Sequence, residues 1–167
     1  MTCYYAGDFE TTTDIQETEV WLSCFTKVID YDKVDMFKVN TSIEDFLKAL
    51  YLDLDKTFSE TGEDDYIIFF HNLKFDGSFL LSFFLNNDIE CTYFINDMGV
   101  WYSITLEFPD FTLTFRDSLK IMNFSIATMA GLFKMPMAKG TTPFLKSKPD
   151  DIKPEWVDYI YTDVAIL

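Results

Sequence analysis

The hydrophobic and polar positions of the chain alternate with a period of two in some segments and of about 3.6 in others. The first period is typical of strands and the second of helices. Alternation, or a short and continuously apolar run, predicts strands at 3–11, 19–29, 33–39, 66–71, 90–95, 100–108 and 111–118. Helices are predicted at 41–58, 77–87, 125–133 and 153–167, with an exposed acidic loop at 59–65 and an irregular basic loop at 134–149.

Capping residues support three of these helices. Ser42 and Ser125 are suited to cap the helices that follow them, and Pro154 is suited to a first helical turn. The last helix has no stop signal before Leu167, which indicates that the chain is part of a longer protein.

The order of these elements predicts one α/β domain over residues 1–167. Short polar turns join the first three strands, which favours an antiparallel meander, whereas helices separate some of the later strands. We therefore expect a mixed central sheet flanked by helices in three layers. The length is sufficient for one such domain with a substantial core.

The composition excludes several classes of protein. The chain is 49% hydrophobic and 18% aromatic, which excludes a disordered protein. No apolar run is long enough for a membrane span, and no basic-then-apolar leader opens the sequence. Cys3, Cys24 and Cys91 form neither a metal-binding pattern nor a disulfide framework, so we interpret them as small, buried apolar residues in a reducing cytosol.

The net charge of −15 argues against a simple nucleic-acid binder. The charge is unevenly distributed, since residues 1–115 hold 22 acidic and 6 basic residues, whereas residues 116–153 hold 3 acidic and 7 basic ones. The acidic part is compatible with a solvated surface, a metal site or both. The basic stretch could contact phosphate or form a solvated loop.

Two acidic residues in the first strand point to a metal site. Asp8 and Glu10 are two positions apart, so a strand places both carboxylates on one face and Phe9 on the other. Neighbouring carboxylates repel each other, and a divalent cation removes this conflict. Oxygen ligands of this kind favour Mg²⁺ or Mn²⁺.

Two further acidic residues lie in apolar surroundings. Asp76 follows a buried strand at the start of a helix, and Asp163 shares one face of the last helix with Tyr159, four residues before it. Together with Asp8 and Glu10 they could bind two metal ions, the arrangement that stabilises the attacking and leaving oxygens in phosphodiester cleavage. The sequence contains no cluster of histidine or cysteine, which disfavours zinc. Tyr159 has too high a pKa for a general base and is better suited to orient the attacking water.

Three motifs resemble the exonuclease motifs of family B DNA polymerases: DFET at 8–11, HNLKFDG at 71–77 and YIYTD at 159–163. HNLKFDG is similar to the protein-primed branch found in small tailed bacteriophages. The resemblance continues through RDSLK at 116–120 and AKG at 138–140, and so covers nearly the whole chain. It implies a ribonuclease-H-like (DnaQ-like) fold and a proofreading 3′→5′ exonuclease domain, truncated from a DNA polymerase and active in the cytoplasm of the bacterial host.

The resemblance also implies roles for individual residues. Asp8, Glu10, Asp76 and Asp163 match the ligands of two Mg²⁺ or Mn²⁺ ions, Tyr159 matches the tyrosine that positions the water, and Lys139 matches a lysine near the scissile phosphate. Contacts to the single-stranded 3′ end are implied for Thr11, Asn72, Phe75, Ser118 and Leu119, and His71 matches a contact to single-stranded DNA or to the priming terminal protein. Phe144 stands where the family often has tyrosine, which leaves its role open.

Other readings of the same residues remain open. Without the family, Phe75 could be a core residue, Asn72 could satisfy backbone groups in a turn, and His71 could be structural. The whole chain could be a non-catalytic platform for the terminal protein or another replication partner, or an acidic mimic of DNA. The remainder of the polymerase, with its own catalytic acids, is an expected partner, and no membrane contact is expected.

Overall fold

The computed structural model describes residues 2–14, 16–30, 33–135 and 144–167. Within these residues the strands are β1 (Thr2–Thr11), β2 (Val20–Asp30), β3 (Lys33–Val34), β4 (Lys38–Asn40), β5 (Asp65–Phe70), β6 (Thr92–Ile95), β7 (Trp101–Glu107) and β8 (Thr112–Asp117). The helices are α1 (Ile43–Thr61), α2 (Leu73–Asn86), α3 (Ile126–Leu132) and α4 (Pro154–Ile166), with a 3-10 helix at Ser118–Lys120.

The strands form one mixed sheet in the order β3-β2-β1-β5-β8-β7-β6, and β4 also pairs with β2. β1, β5 and β8 run parallel to one another in the centre, whereas the outer pairs are antiparallel. The carboxyl ends of the three parallel strands therefore meet at one edge of the sheet, where α/β proteins commonly bind ligands.

The helices cover both faces of the sheet. α1 and α2 pack on one face through a core that includes Phe46 and Leu80, against strand residues such as Tyr5, Phe9 and Phe70. α4 packs on the other face. This arrangement confirms the predicted α/β fold, with a mixed central sheet between two layers of helices.

The opposite core is smaller and positions α4. Ile160 and Val164 of this helix contact Ala6 of β1 together with Leu22 and Cys24 of β2. Because side chains alternate along β1, the residues after Ala6 that share its face are Asp8 and Glu10. α4 is thereby held beside the strand that carries the first two candidate metal ligands.

Most element boundaries agree with the sequence pattern, and the predicted caps are confirmed. Ser42 Oγ accepts a hydrogen bond from the Asp45 N–H at 3.1 Å, and Ser125 Oγ accepts one from the Thr128 N–H at 3.2 Å. Pro154 begins α4 as expected.

Three predicted boundaries were wrong. The strand expected at 33–39 is interrupted, because only Lys33–Val34 and Lys38–Asn40 pair with β2. α1 continues into the expected acidic loop and ends at Thr61, followed by Gly62, whose φ of 73° suits a left-handed cap. The second helix begins at 73 rather than 77, because Asn72 adopts the left-handed conformation in which the strand turns directly into α2.

The three cysteines are free thiols, as expected. Cys24 is fully buried, and burial raises the pKa of its thiol above the ordinary value. Cys3 and Cys91 are only partly buried, so the expectation that all three are core residues was wrong for these two. Among the described helices, none has the length and apolar character needed to cross a bilayer.

Candidate active site

β1 carries the first two carboxylates at the carboxyl edge of the sheet. Asp8 pairs with Cys24 and Glu10 pairs with Leu22 on β2, so strand pairing holds the backbone of both residues, and the register shifts only between Glu10 and Thr11. Phe9 points to the opposite face and packs against Phe46 and Phe70, with ring centroids 4.9 and 5.0 Å apart. The buried aromatic core therefore sets the direction in which the two carboxylates point.

α4 brings a third carboxylate to the same place. Tyr159 and Asp163 lie one turn apart on the helix face that faces β1, and both are buried. Oxygen atoms of Asp8, Glu10 and Asp163 all lie within 4.8 Å of one another. Strand and helix thus bring three negatively charged groups into a space that a single divalent cation could bridge.

Asp76 comes from the third direction, in the first turn of α2. Only 3% of the residue is exposed, and its Oδ1 has no hydrogen-bond partner among the described residues. Burial, followed by the charges of Asp8 and Glu10, raises the pKa of Asp76 well above its ordinary value of 3.8, although backbone hydrogen bonds from Asp76 and Phe9 oppose this rise. A buried acid with a free oxygen next to two other acids fits a metal ligand.

An open cavity of about 530 Å³ connects these groups. Nine of the residues predicted from the sequence line it: Asp8, Glu10, His71, Asn72, Phe75, Asp76, Leu119, Tyr159 and Asp163. The cavity therefore brings together residues from β1, the start of α2, the segment after β8 and α4, as the parallel strand order requires.

Other predicted residues lie outside this lining. Thr11 is partly buried at the end of β1. Ser118 is behind the lining, where its Oγ lies 3.0 Å from His71 Nδ1 and donates to the Phe70 carbonyl at 3.3 Å. Lys139 lies outside the described residues.

Phe144 is 78% exposed, and its neighbour is anchored close to the end of β1. The Leu145 carbonyl accepts hydrogen bonds from the backbone N–H of Thr13 at 2.7 Å and from its hydroxyl at 3.0 Å. The segment that begins at Phe144 therefore lies alongside the residues that follow DFET, near Thr11.

Sequence reasoning missed three residues of the cavity, Phe9, Ser125 and Ile126, and placed Phe9 only on the opposite face of β1. Ser125 was identified only as a helix cap, and Ile126 only as an apolar position of α3. The place of Ser125 and Ile126 in the lining depends on the packing of α3 against the end of α4, where Ile126, Met129 and Ala130 contact Ile166. No spacing in the sequence signals such a contact between two helices.

The residues present fit a pair of hard divalent cations. All four candidate ligands are carboxylates, which suits Mg²⁺ or Mn²⁺, and the described residues offer no histidine or cysteine cluster for a softer metal. The free oxygen of Asp76 and the close approach of the other three carboxylates are the observations that support this fit.

Sequence comparison places this chain in a known family. A profile of the family described as "DNA polymerase type B, organellar and viral" matches residues 58–150, which is more than half of the chain. The chain belongs to this family. It is 87% identical over all 167 residues to the DNA polymerase of Streptococcus phage Cp-1, and 29% identical over 185 aligned positions to that of Bacillus phage phi29.

Solved structures agree with this assignment. The structure of phi29 DNA polymerase complexed with primer-template DNA matches 99% of the chain with a TM-score of 0.82 at 27% identity, and the structure of the same enzyme complexed with single-stranded DNA matches with a TM-score of 0.81. These matches confirm the ribonuclease-H-like α/β fold predicted from the motifs. The chain spans less than a third of these relatives, namely 29% of the two phage polymerases and 30% of the two structures.

Proposed function

We propose that the chain is a 3′→5′ exonuclease domain of a protein-primed DNA polymerase, which removes nucleotides from single-stranded 3′ ends with two divalent cations. The observation that carries this proposal is the convergence of four carboxylates from β1, α2 and α4, together with Tyr159, in one open cavity. The family membership makes DNA the expected polymer. We expect residues 1–167 to act as one domain within a longer polymerase, in the cytoplasm of the infected bacterium.

The four carboxylates are the metal ligands in this proposal. Asp8, Glu10 and Asp163 approach closely enough to share one ion, and Asp76 offers its free oxygen to the same group of ligands. When bound, the ions stabilise negative charge on the attacking and leaving oxygens of the phosphodiester. The protein contributes a fixed and largely buried set of ligands, so little reorganisation is needed when charge develops.

Tyr159 is suited to orient the attacking water. Its hydroxyl belongs to a buried side chain on the same helix face as Asp163 and lines the cavity. A phenol is a weak base at neutral pH, but it can donate and accept hydrogen bonds and so fix the direction of a water molecule.

The DNA strand would enter along the wall formed by the start of α2 and the segment after β8. Phe75 is 47% exposed at this wall, which suits stacking on a base better than a role in the core. Asn72, Leu119 and His71 line the same wall, and Thr11 and Ser118 lie behind or beside it. Lys139 is proposed, from the family resemblance, to contact the scissile phosphate.

The priming terminal protein is a second proposed partner, which rests on the match of His71 to the family. Binding to it would not require metal. It should therefore persist in a variant that lacks Asp8 and Glu10, which separates this role from catalysis.

The test is a gel assay with a 5′-labelled single-stranded oligonucleotide and Mg²⁺ or Mn²⁺. The wild-type chain should produce a ladder that shortens from the 3′ end, and the Asp8→Ala/Glu10→Ala variant should produce none while keeping its thermal transition. Equal cleavage by the folded double variant, or shortening that does not depend on a divalent cation, would contradict the proposed site.

A further inference from the structure

Asp117 is a buried carboxylate that the proposed chemistry does not use. It is the last residue of β8, only 3% of it is exposed, and it does not line the cavity. Buried acids are retained in proteins where hydrogen bonds or charges compensate for the loss of water. Its partners therefore indicate what it does.

Both strong partners of Asp117 are backbone groups of the DNA-facing wall. Its Oδ1 accepts hydrogen bonds from the N–H of Asn72 and the N–H of Leu119, each at 3.0 Å. Lys120 lies 3.4 Å from Oδ2 at the protein surface. Asp117 Oδ1 thus connects the segment at Leu119 with the segment at Asn72, which lies 45 residues before Asp117 in sequence. Both segments line the cavity.

The Asn72 end of this connection is a turn that needs support. Asn72 has a φ of 71° and a ψ of 59°, the left-handed region that asparagine tolerates better than most residues other than glycine but still adopts at some cost. Its side chain makes no capping hydrogen bond to α2, while its carbonyl accepts from the Phe75 N–H at 2.9 Å. This conformation turns the Asn72 N–H away from the helix, and the Asn72 N–H donates a hydrogen bond to Asp117.

A second connection runs parallel to the first. Ser118 Oγ lies 3.0 Å from His71 Nδ1 and donates to the Phe70 carbonyl at 3.3 Å. The segments 70–72 and 117–119 are thereby connected by two adjacent side chains, one of which is fully buried. These bonds hold the turn at Asn72, and Phe75, whose ring is exposed, lies three residues after that turn.

We propose that Asp117 is a positioning residue for the DNA-binding wall, which fixes Asn72 and Leu119 relative to each other so that the single-stranded 3′ end is held between them. This inference rests on the proposed exonuclease function. Asp117 itself contacts neither the substrate nor the reacting atoms. It supports the turn that begins α2, whereas Asp8, Glu10 and Asp163 lie on β1 and α4.

Removal of this carboxylate should weaken substrate binding more than it slows the chemical step. In Asp117→Ala both backbone N–H groups lose their acceptor, and the two segments can shift. We expect a rise of about tenfold or more in KM for the oligonucleotide, with kcat within about threefold of wild type, because lost uniform binding raises KM alone.

A conservative variant and a matched control separate positioning from general stability. Asp117→Asn keeps an acceptor oxygen at the same place and should restore KM to near the wild-type value. Asp53→Ala removes a partly buried acid, whose carboxylate accepts from the Tyr5 hydroxyl at 2.9 Å and pairs with Lys38 at 3.6 Å, away from the cavity. This control should lower the melting temperature and leave KM unchanged.

The experiment measures KM and kcat for 3′ shortening in Mn²⁺, with thermal unfolding in EDTA and in Mn²⁺, for the wild type and the variants. If Asp117→Ala does not fold, Asp117→Ser replaces it, since its shorter hydroxyl can still accept from the nearby Leu119 N–H and should raise KM above the wild-type value. A raised KM with the Mn²⁺-induced shift in melting temperature preserved would support the proposal.

Other outcomes would overturn it. An unchanged KM in folded Asp117→Ala, a fall in kcat alone, no rescue by Asp117→Asn, or an equal rise in KM for Asp53→Ala would each contradict a positioning role. A wild-type chain that neither cleaves nor binds the oligonucleotide would contradict the proposed function, and this inference would fall with it.

Discussion

At the scale of single residues, Asp76 carries the largest electrostatic conflict in the site. Its carboxyl is buried beside Asp8 and Glu10, and its pKa is raised well above 3.8. An acid with a raised pKa in the folded state holds its proton to a higher pH there than in the unfolded chain. The free energy of unfolding therefore falls as pH rises from about 4 through the raised pKa of the folded state.

Asp76→Asn should remove this part of the pH dependence. In EDTA, we expect the variant to be more stable than the wild type at pH 8, and to lose less stability than the wild type between pH 5 and pH 8. Urea denaturation at the two pH values measures the difference. Asp110→Asn, in an exposed turn, is the control and should follow the wild type.

Bound metal should reverse the order of stability of the wild type and Asp76→Asn if Asp76 is a ligand. Mn²⁺ should raise the melting temperature of the wild type more than that of Asp76→Asn at pH 8, because an ion that binds only the folded state stabilises it. Equal stabilisation of both proteins by Mn²⁺ would show that Asp76 is not a ligand. Equal loss of stability between pH 5 and pH 8 in EDTA would show that Asp76 is not a source of electrostatic strain.

The last helix offers a matched pair of tyrosines. Tyr159 lines the cavity, whereas Tyr161 stacks on Phe37 at a centroid distance of 4.7 Å on another side of α4. We expect Tyr159→Phe to lower kcat for 3′ shortening by about 10- to 100-fold, since the water loses its orienting hydroxyl. Tyr161→Phe, with the same atom removed, should keep wild-type kinetics.

Metal binding provides the check on this pair. Both variants should keep the melting-temperature shift that Mn²⁺ produces, because neither change removes a carboxylate. A loss of activity in Tyr161→Phe equal to that in Tyr159→Phe would indicate that α4 had moved, and would contradict a specific role for Tyr159.

At the scale of elements, β1 depends on a close contact at Gly7. A Cβ atom at this position would lie 3.0 Å from Ile68 Cδ1 and 3.0 Å from Phe70 Cζ. The Phe70 ring is itself packed against Phe9 and Phe46, so it has little room to move. The side chains of Ile68 and Phe70 on β5 therefore cover β1 in a way that favours glycine at this point.

Gly7→Ala should destabilise the protein by about 1–3 kcal/mol through overpacking of this contact. Gly131→Ala is the matched control, because a Cβ at Gly131 in α3 meets nothing within 4 Å. Alanine in that helix should stabilise the protein by about 0.5–1 kcal/mol. Urea denaturation measures both changes, and a stabilising Gly7→Ala would contradict the close packing of β1 on β5.

Sequence patterns were sufficient for elements whose signals are local. Alternation identified β1 and β2, and Ser42 and Ser125 marked their helices because a cap depends on neighbouring backbone groups. The early start of α2 was missed, since the left-handed turn at Asn72 is stabilised by Asp117, 45 residues later. Local propensity contains no information about such a partner.

The same distinction applies to the candidate site. The carboxylates were recognisable because acids recurred in apolar surroundings, in the order of three known motifs. Asp117 was taken as part of a strand end, although an acid at the next position of the face that carries Leu113 and Phe115 was a usable signal. Ser125 and Ile126 could not be placed without the packing of α3 on α4.

At the scale of the whole molecule, a net charge of −15 has to be reconciled with a DNA substrate. Part of the negative charge is concentrated in the cavity, where divalent cations would offset it, and the basic residues are enriched in 116–153, which includes the segment after β8. Phosphate contacts dominate affinity for DNA. Binding by this chain should therefore depend on both the cations and that basic stretch.

The most direct measurement is anomalous diffraction from crystals of the chain soaked in Mn²⁺ with a short single-stranded oligonucleotide. Our account predicts two Mn²⁺ peaks between the carboxylates of Asp8, Glu10, Asp76 and Asp163, with the 3′-terminal phosphodiester beside them. Peaks elsewhere, or no Mn²⁺ bound among these four side chains, would contradict the two-metal exonuclease site.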